Sequence, residues 1–152
     1  MKSGGTAPTF ELPMLGGGKK SLDEYIAEGP VLLIFFKCAC PTCQFTLPYL
    51  ERIKNGKLKL VAISQDDADS TTEFRDSYRI SLETLLDLED DGYPVSNAYR
   101  ITNVPTMFLI ENDGSIGEII TGFGKRDMEA IGVRCGIAPF RPEDYVPEWK
   151  AG

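Results

Sequence analysis

Three of the four cysteines fall within six positions, inside the stretch Phe36-Lys37-Cys38-Ala39-Cys40-Pro41-Thr42-Cys43-Gln44-Phe45-Thr46-Leu47-Pro48. An apolar run precedes this stretch and a helical pattern follows it. Two thiols three positions apart at the opening of a helix lie one above the other, close enough to join as a disulfide. The free N–H groups of the first helical turn also favour a thiolate over a thiol. Cys40 and Cys43 therefore read as a redox dithiol, with Cys40 the exposed nucleophile and Cys43 the more buried resolving partner. The plainer alternatives are a free thiol at Cys40 and a packed core thiol at Cys43. Cys38 reads first as a loop residue, because an adjacent C-x-C disulfide strains the preferred geometry; a spare attacking thiol or a soft-metal ligand in the C-x-C-x-x-C run are its other readings. Lys37 adds positive charge that would lower a neighbouring thiol pKa, subject to screening. Cys135, on the apolar side of a late helical pattern, reads as a structural core thiol.

The chain has 152 residues and no histidine. Ser-His and Cys-His nucleophile pairs, histidine-ligated metals and imidazole acid–base catalysis are thereby excluded. The net charge is −7 with basic residues scattered, so nucleic acid is not an expected partner. At 42% apolar residues, one domain can build a core without disulfide staples. Neither a membrane-spanning segment nor a signal peptide is visible; the sequence as written reads as cytoplasmic, or as extracytoplasmic if it is a trimmed piece. The Asp66-Asp67 and Glu89-Asp90-Asp91 clusters lack ligand spacing and read as solvated loops, and no metal site is expected.

The elements that must position the dithiol can be read in order. Residues 1–5 read as a flexible lead, and Ala7 to Pro13 as an extended edge segment of a small hairpin closed near Gly16-Gly17-Gly18. Ser21-Leu22-Asp23-Glu24 is a capping box opening a short helix that Gly29-Pro30 ends. Val31 to Phe36 is an unbroken apolar run, as expected of a central strand covered on both faces. The helix after Cys40 should run to about Asn55-Gly56, kinked at Pro48. Leu58 to Ser64 is a strand, Ser70 to Glu73 a second capping box with Phe74 and Tyr78 on the buried side, and Leu85 to Leu88 a short strand. Pro94 opens a short helix. Asn112-Asp113-Gly114 joins Thr106–Ile110 to Ser115–Thr121 as a hairpin, and a last helix runs from Lys125 to Cys135. Residues 137–152 are an extended tail with Phe140, Tyr145 and Trp149 as candidate anchors. The alternation describes an α/β sandwich on a mixed sheet.

Four stretches together resemble the thioredoxin-like superfamily, most closely the TlpA- and ResA-type thiol–disulfide oxidoreductases within the redoxin, or AhpC/TSA peroxiredoxin-like, group. They are Ala7-Pro8-Thr9-Phe10-Glu11-Leu12, the apolar strand running into Cys40-Pro41-Thr42-Cys43 with Pro48 beyond, Leu85-Leu86-Asp87 leading to Ala98-Tyr99, and Val104-Pro105-Thr106-Met107-Phe108-Leu109-Ile110 followed by Asp113-Gly114. The resemblance implies a three-layer α/β/α sandwich with a mixed central sheet, a thioredoxin-like domain over residues 6–136, an N-terminal extension and an irregular C-terminal tail. It implies a cis-proline at Pro105 facing the dithiol, and a substrate-facing surface of Val104, Pro105, Pro41 and Thr42, with Val104 pairing an extended substrate segment. Cys38 and Lys37 would modulate the pair. Three positions depart from the family: Ile34 stands where thioredoxin has a buried Asp, Thr46 where ResA-like proteins have a Glu, and Ala39 where an aromatic residue often precedes the first cysteine. No dedicated proton acceptor is visible.

The expected activity is thiol–disulfide exchange through a mixed disulfide on Cys40, with no cofactor beyond the redox-active disulfide. The expected partners are protein disulfides or dithiols and an upstream thiol reductant, acting on a monomer. The rivals are a peroxiredoxin-like peroxidase using Cys43, which lacks the Thr and Pro of that pattern (Cys40 and Phe36 stand there), and a soft-metal module using Cys38, Cys40 and Cys43.

Overall fold

The computed structural model describes residues 1–152. In chain order the elements are β1 (Glu11–Pro13), β2 (Lys19–Ser21), α1 (Leu22–Glu28), β3 (Val31–Phe36), α2 (Pro41–Glu51), β4 (Lys59–Ser64), α3 (Ala68–Tyr78), β5 (Glu83–Leu86), α4 (Pro94–Ala98), β6 (Thr106–Ile110), β7 (Ile116–Thr121), β8 (Phe123–Gly124), α5 (Lys125–Cys135) and β9 (Trp149–Lys150). A five-stranded sheet ordered β5-β4-β3-β6-β7 forms the centre. Strands β3, β4 and β5 run parallel, whereas β6 is antiparallel to β3 and β7 to β6. This is the mixed α/β sandwich that the alternation of patterns predicts.

All six residues of β3 are buried, which is why the run Val-Leu-Leu-Ile-Phe-Phe carries no polar face. Phe35 packs between Tyr99 and Phe108, with ring centroids 5.4 and 5.8 Å away, and Phe36 packs on Phe74 at 5.2 Å. Because β3 lies mid-sheet and runs straight into α2, the residues between them emerge at one end of a rigid layer.

The capping box at Ser21 is present: Glu24 N–H donates to the Ser21 hydroxyl, and the Glu24 carboxylate accepts from Ser21 N–H, each at 3.2 Å. The second capping box does not form at Ser70. Helix α3 starts one turn earlier, capped by Asp67, whose side chain accepts from Ser70 N–H at 2.8 Å. Asp67 therefore belongs to a helix start rather than a solvated loop. Tyr78 is 36% exposed, so the buried side of that helix is carried by Phe74 together with Thr71. Helix α2 ends at Glu51 and continues to Gly56 as tighter turns, with Ile53 N–H bonded to Leu50 O and Gly56 N–H to Ile53 O. Strand β5 ends before Asp87, because the buried Asp87 carboxylate turns to α4 and accepts from Val95 N–H at 3.1 Å and Ser96 N–H at 2.6 Å.

The lead and the tail differ most from expectation. Gly4 N–H donates to Ile116 O at 2.7 Å and Ile116 N–H to Gly5 O at 2.8 Å, so part of the lead is tied to the start of β7. The β1–β2 hairpin docks at the opposite sheet edge, where Leu15 N–H donates to Thr84 O at 2.9 Å. In the tail, Phe140 is an anchor, stacked edge-on to Tyr49 at 5.0 Å, but Tyr145 is 98% and Trp149 62% exposed. Those two do not anchor the tail, which is held instead by backbone pairing and by the Arg52–Asp144 ion pair at 2.7 Å.

Candidate active site

Cys40 is the N-cap of α2, in extended backbone (φ −78°, ψ 116°), and Pro41 follows as the first helical residue. Pro41 suits that position because its missing N–H would be unpaired there anyway. The Cys40 sulfur does what a serine or aspartate oxygen does at an N-cap: Cys43 N–H donates to it at 3.1 Å. This contact puts the positive end of the helix on the Cys40 sulfur, and charge developing there as thiolate meets a fixed dipole. Gln44 steadies the approach by donating from Nε2 to Cys38 O at 2.9 Å.

Cys43, one turn on, is fully buried. Burial pushes its thiol pKa far above the ordinary value, and the neighbouring Cys40 sulfur adds to this, while a hydrogen bond from the Lys37 backbone pulls the other way. The two sulfurs are thus chemically unlike, one half-exposed at a helix start and one sealed beneath it.

Across from the dithiol, Val104-Pro105 is a cis peptide. The Cys40 thiol donates to Val104 O at 3.4 Å, and Gly122 N–H donates to Pro105 O at 2.8 Å. Val104 and Pro105 are both buried, Pro41 is exposed, and the nearly buried Thr42 donates its hydroxyl to Ala151 O at 2.6 Å. The structure therefore brings Cys40, Cys43, Thr42, Val104 and Pro105 together, with Pro41 at the rim.

Cys38 and Lys37 lie apart from this group. The Lys37 side chain is exposed, and its backbone rather than its ammonium reaches the dithiol. The Cys38 N–H donates to Asp66 Oδ2 at 2.7 Å and its thiol to Ser70 O at 3.6 Å, so Cys38 faces α3. Burial, reinforced by the Asp66 carboxylate, pushes its thiol up to about 12. It borders a shallow groove of about 300 Å³ with Ala39, Glu73 and Phe74. No group of three or more Cys, Asp or Glu side chains is arranged to hold a metal ion, and the C-x-C-x-x-C run does not converge on one point. Asp66, expected as a solvated loop residue, is instead half-buried and fixes the strand-to-helix loop.

At the positions of departure, Ile34 is fully buried and Thr46 donates its hydroxyl to Thr42 O at 2.6 Å. Asp87 is the one buried carboxylate, and both its oxygens are occupied by α4. Sequence reading missed Asp66 and Ala151 as neighbours of the site, since each lies far along the chain from its contact. The residue types carried a weak signal for Asp66 alone, as an acid at the end of β4.

The profile of the AhpC/TSA family matches residues 3–119. The thiol-disulfide oxidoreductase ResA of Geobacillus kaustophilus (strain HTA426) is 31% identical over 132 residues, which cover 83% of this chain and 74% of that protein. The thioredoxin-like protein YneN of Bacillus subtilis (strain 168) is 29% identical over 138 residues, covering 85% and 78%. Among solved structures, the thioredoxin domain of a thiol-disulfide oxidoreductase from Bacteroides vulgatus superposes with a TM-score of 0.76 at 21% identity, over 90% of this chain and 99% of that one. The fold is thioredoxin-like. No helix is long and apolar enough to cross a membrane.

Proposed function

Because this chain belongs to the AhpC/TSA family and is a thiol–disulfide oxidoreductase of thioredoxin fold, we propose that Cys40 and Cys43 carry its exchange reaction. The observation that supports the assignment is the Cys43 N–H donated to the Cys40 sulfur at 3.1 Å. In the reduced protein the Cys40 thiolate attacks one sulfur of a substrate disulfide, forming a mixed disulfide and expelling the other sulfur as a thiolate. Cys43 then gives up its proton, attacks the Cys40 sulfur, and expels the second substrate thiolate. Two electrons pass from the dithiol to the substrate, and the Cys40–Cys43 disulfide remains. A dithiol reductant restores the pair by the reverse sequence, so the dithiol itself is the electron carrier.

Burial of Cys43 protects the resolving thiol from outside reagents until the mixed disulfide presents a sulfur to it. Val104 offers backbone groups beside that sulfur, which suits an extended polypeptide, and protein disulfides are the proposed substrate class. Direction follows the potential of the pair against its compartment. The peroxidase alternative requires a hydroperoxide to reach Cys43, and the complete burial of that side chain counts against it.

The test is trapping. Cys40→Ser should lose insulin-reducing activity, and Cys43→Ser should accumulate mixed disulfides through Cys40. Retained activity in Cys40→Ser would overturn the assignment.

A further inference from the structure

The chain's own residues 149–152 run through the space beside Cys40 where an extended partner would lie. Trp149 and Lys150 form β9, antiparallel to Phe123 and Gly124 of β8, and Lys125 N–H donates to Glu148 O at 2.9 Å just before it. The next residue, Ala151, accepts the Thr42 hydroxyl at 2.6 Å. Gly152 then lies against Val104: a Cβ built on it would fall 2.6 Å from Val104 O, the same oxygen that accepts the Cys40 thiol. Gly122 makes room on the other side, where a Cβ would fall 2.6 Å from Lys150 O.

All four residues of this segment are exposed although its backbone is bonded. That is the signature of a strand held by main-chain contacts, with little buried surface to retain it. Cys40 keeps part of its surface open at the same time.

We propose that Thr42, Val104, Gly122 and β8 form a groove for an extended polypeptide, and that residues 149–152 occupy it as a pseudo-substrate that a protein disulfide must displace. The inference rests on the exchange function assigned to Cys40 and Cys43. The partner is a backbone-recognised, extended segment that presents a residue without a bulky side chain where Gly152 meets Val104. Thr42 would transfer its hydrogen bond from Ala151 O to a carbonyl of that partner. A small disulfide needs only the exposed part of Cys40 and would not compete with the segment.

The experiment compares the full chain with a variant ending at Glu148 and with full-length Gly152→Leu, whose side chain cannot fit against Val104 O. Insulin serves as the protein disulfide and hydroxyethyl disulfide as the small one. Both variants should show a KM for insulin lowered roughly tenfold with kcat unchanged, as expected when the open groove otherwise holds about a tenth of the population. Rates with hydroxyethyl disulfide should be equal in all three proteins. Trp149 is the only tryptophan, and its fluorescence anisotropy in the Cys43→Ser protein should fall when insulin is trapped on Cys40. Unchanged insulin KM in both variants, with the small disulfide still reduced, would overturn the groove assignment alone. Failure of the full chain to reduce either disulfide would overturn the exchange function and this inference with it.

Discussion

The backbone N–H of Cys43 donates to the sulfur of Cys40 at 3.1 Å, so the residue proposed to resolve the mixed disulfide is also bonded through its main chain to the sulfur proposed to form it. The first role uses the Cys43 side chain and the second its main chain. Cys43→Ser therefore removes resolution while leaving the helix start, and the reactivity of Cys40, in place.

Thiol reactivity should follow the order that burial and charge set. With burial and the Asp66 carboxylate pushing Cys38 up to about 12, little of it is thiolate at pH 8. Iodoacetamide at pH 8 should modify Cys40 first and Cys38 far more slowly, with Cys43 and Cys135 labelled only after unfolding, as read by peptide mass spectrometry. Early labelling of Cys43 would contradict the buried resolving thiol.

Asp66→Asn should make Cys38 easier to ionise. Burial is the larger cause of its raised pKa and persists, but removal of the adjacent negative charge favours the thiolate, so the inflection in Cys38 alkylation should move to lower pH. An inflection that stays in place would leave burial as the sole cause.

Gly56→Ala should destabilise the protein. The added Cβ would fall 2.2 Å from Cys135 O and 2.8 Å from Cys135 Cβ, where α5 closes against the turn after α2. Neither neighbour is a flexible side-chain tip, so backbone must shift, with a loss of about 1–3 kcal/mol in urea unfolding. An unchanged midpoint would show that this junction yields freely.

Acid should loosen the junction between α2 and β5. Burial acts to raise the Glu51 pKa, but Lys54 and the hydroxyl and N–H of Ser81 outweigh it and hold the carboxyl below its usual value. A depressed carboxylate contributes stability that is fully present above the unfolded pKa of about 4.3 and is lost as pH falls through the lower folded value. Urea midpoints should drop below about pH 4, and Glu51→Gln should reduce the drop while lowering the midpoint at pH 7. Equal pH profiles for the two proteins would exclude Glu51 as a contributor.

Legibility in the sequence tracked the range of each contact. The unbroken Val31–Phe36 run has one good explanation, a strand with no solvent face, and it lies mid-sheet. Asn112-Asp113-Gly114 made the β6–β7 hairpin visible, because the turn chemistry is local: Asp113 accepts from Ser115 N–H at 2.9 Å and Gly114 takes φ +85°. Cys40 was legible as an N-cap for the same reason. The pairing of Thr42 with Ala151 spans 109 positions, and that of Cys38 with Asp66 spans 28. No periodicity encodes either contact. The tail misled because aromatic residues are ordinarily good anchors; Tyr145 and Trp149 point outward while the backbone around Trp149 does the binding.

The N-terminal segment touches the sheet at both margins, with Gly4 and Gly5 on the start of β7 and Leu15 on β5. An open sheet edge is where another extended chain can add and nucleate aggregates. With residues 4–5 bonded at the start of β7 and the β1–β2 hairpin bonded to β5, each margin of the sheet has part of its main chain already engaged, which leaves less of it free for a strand added from another chain.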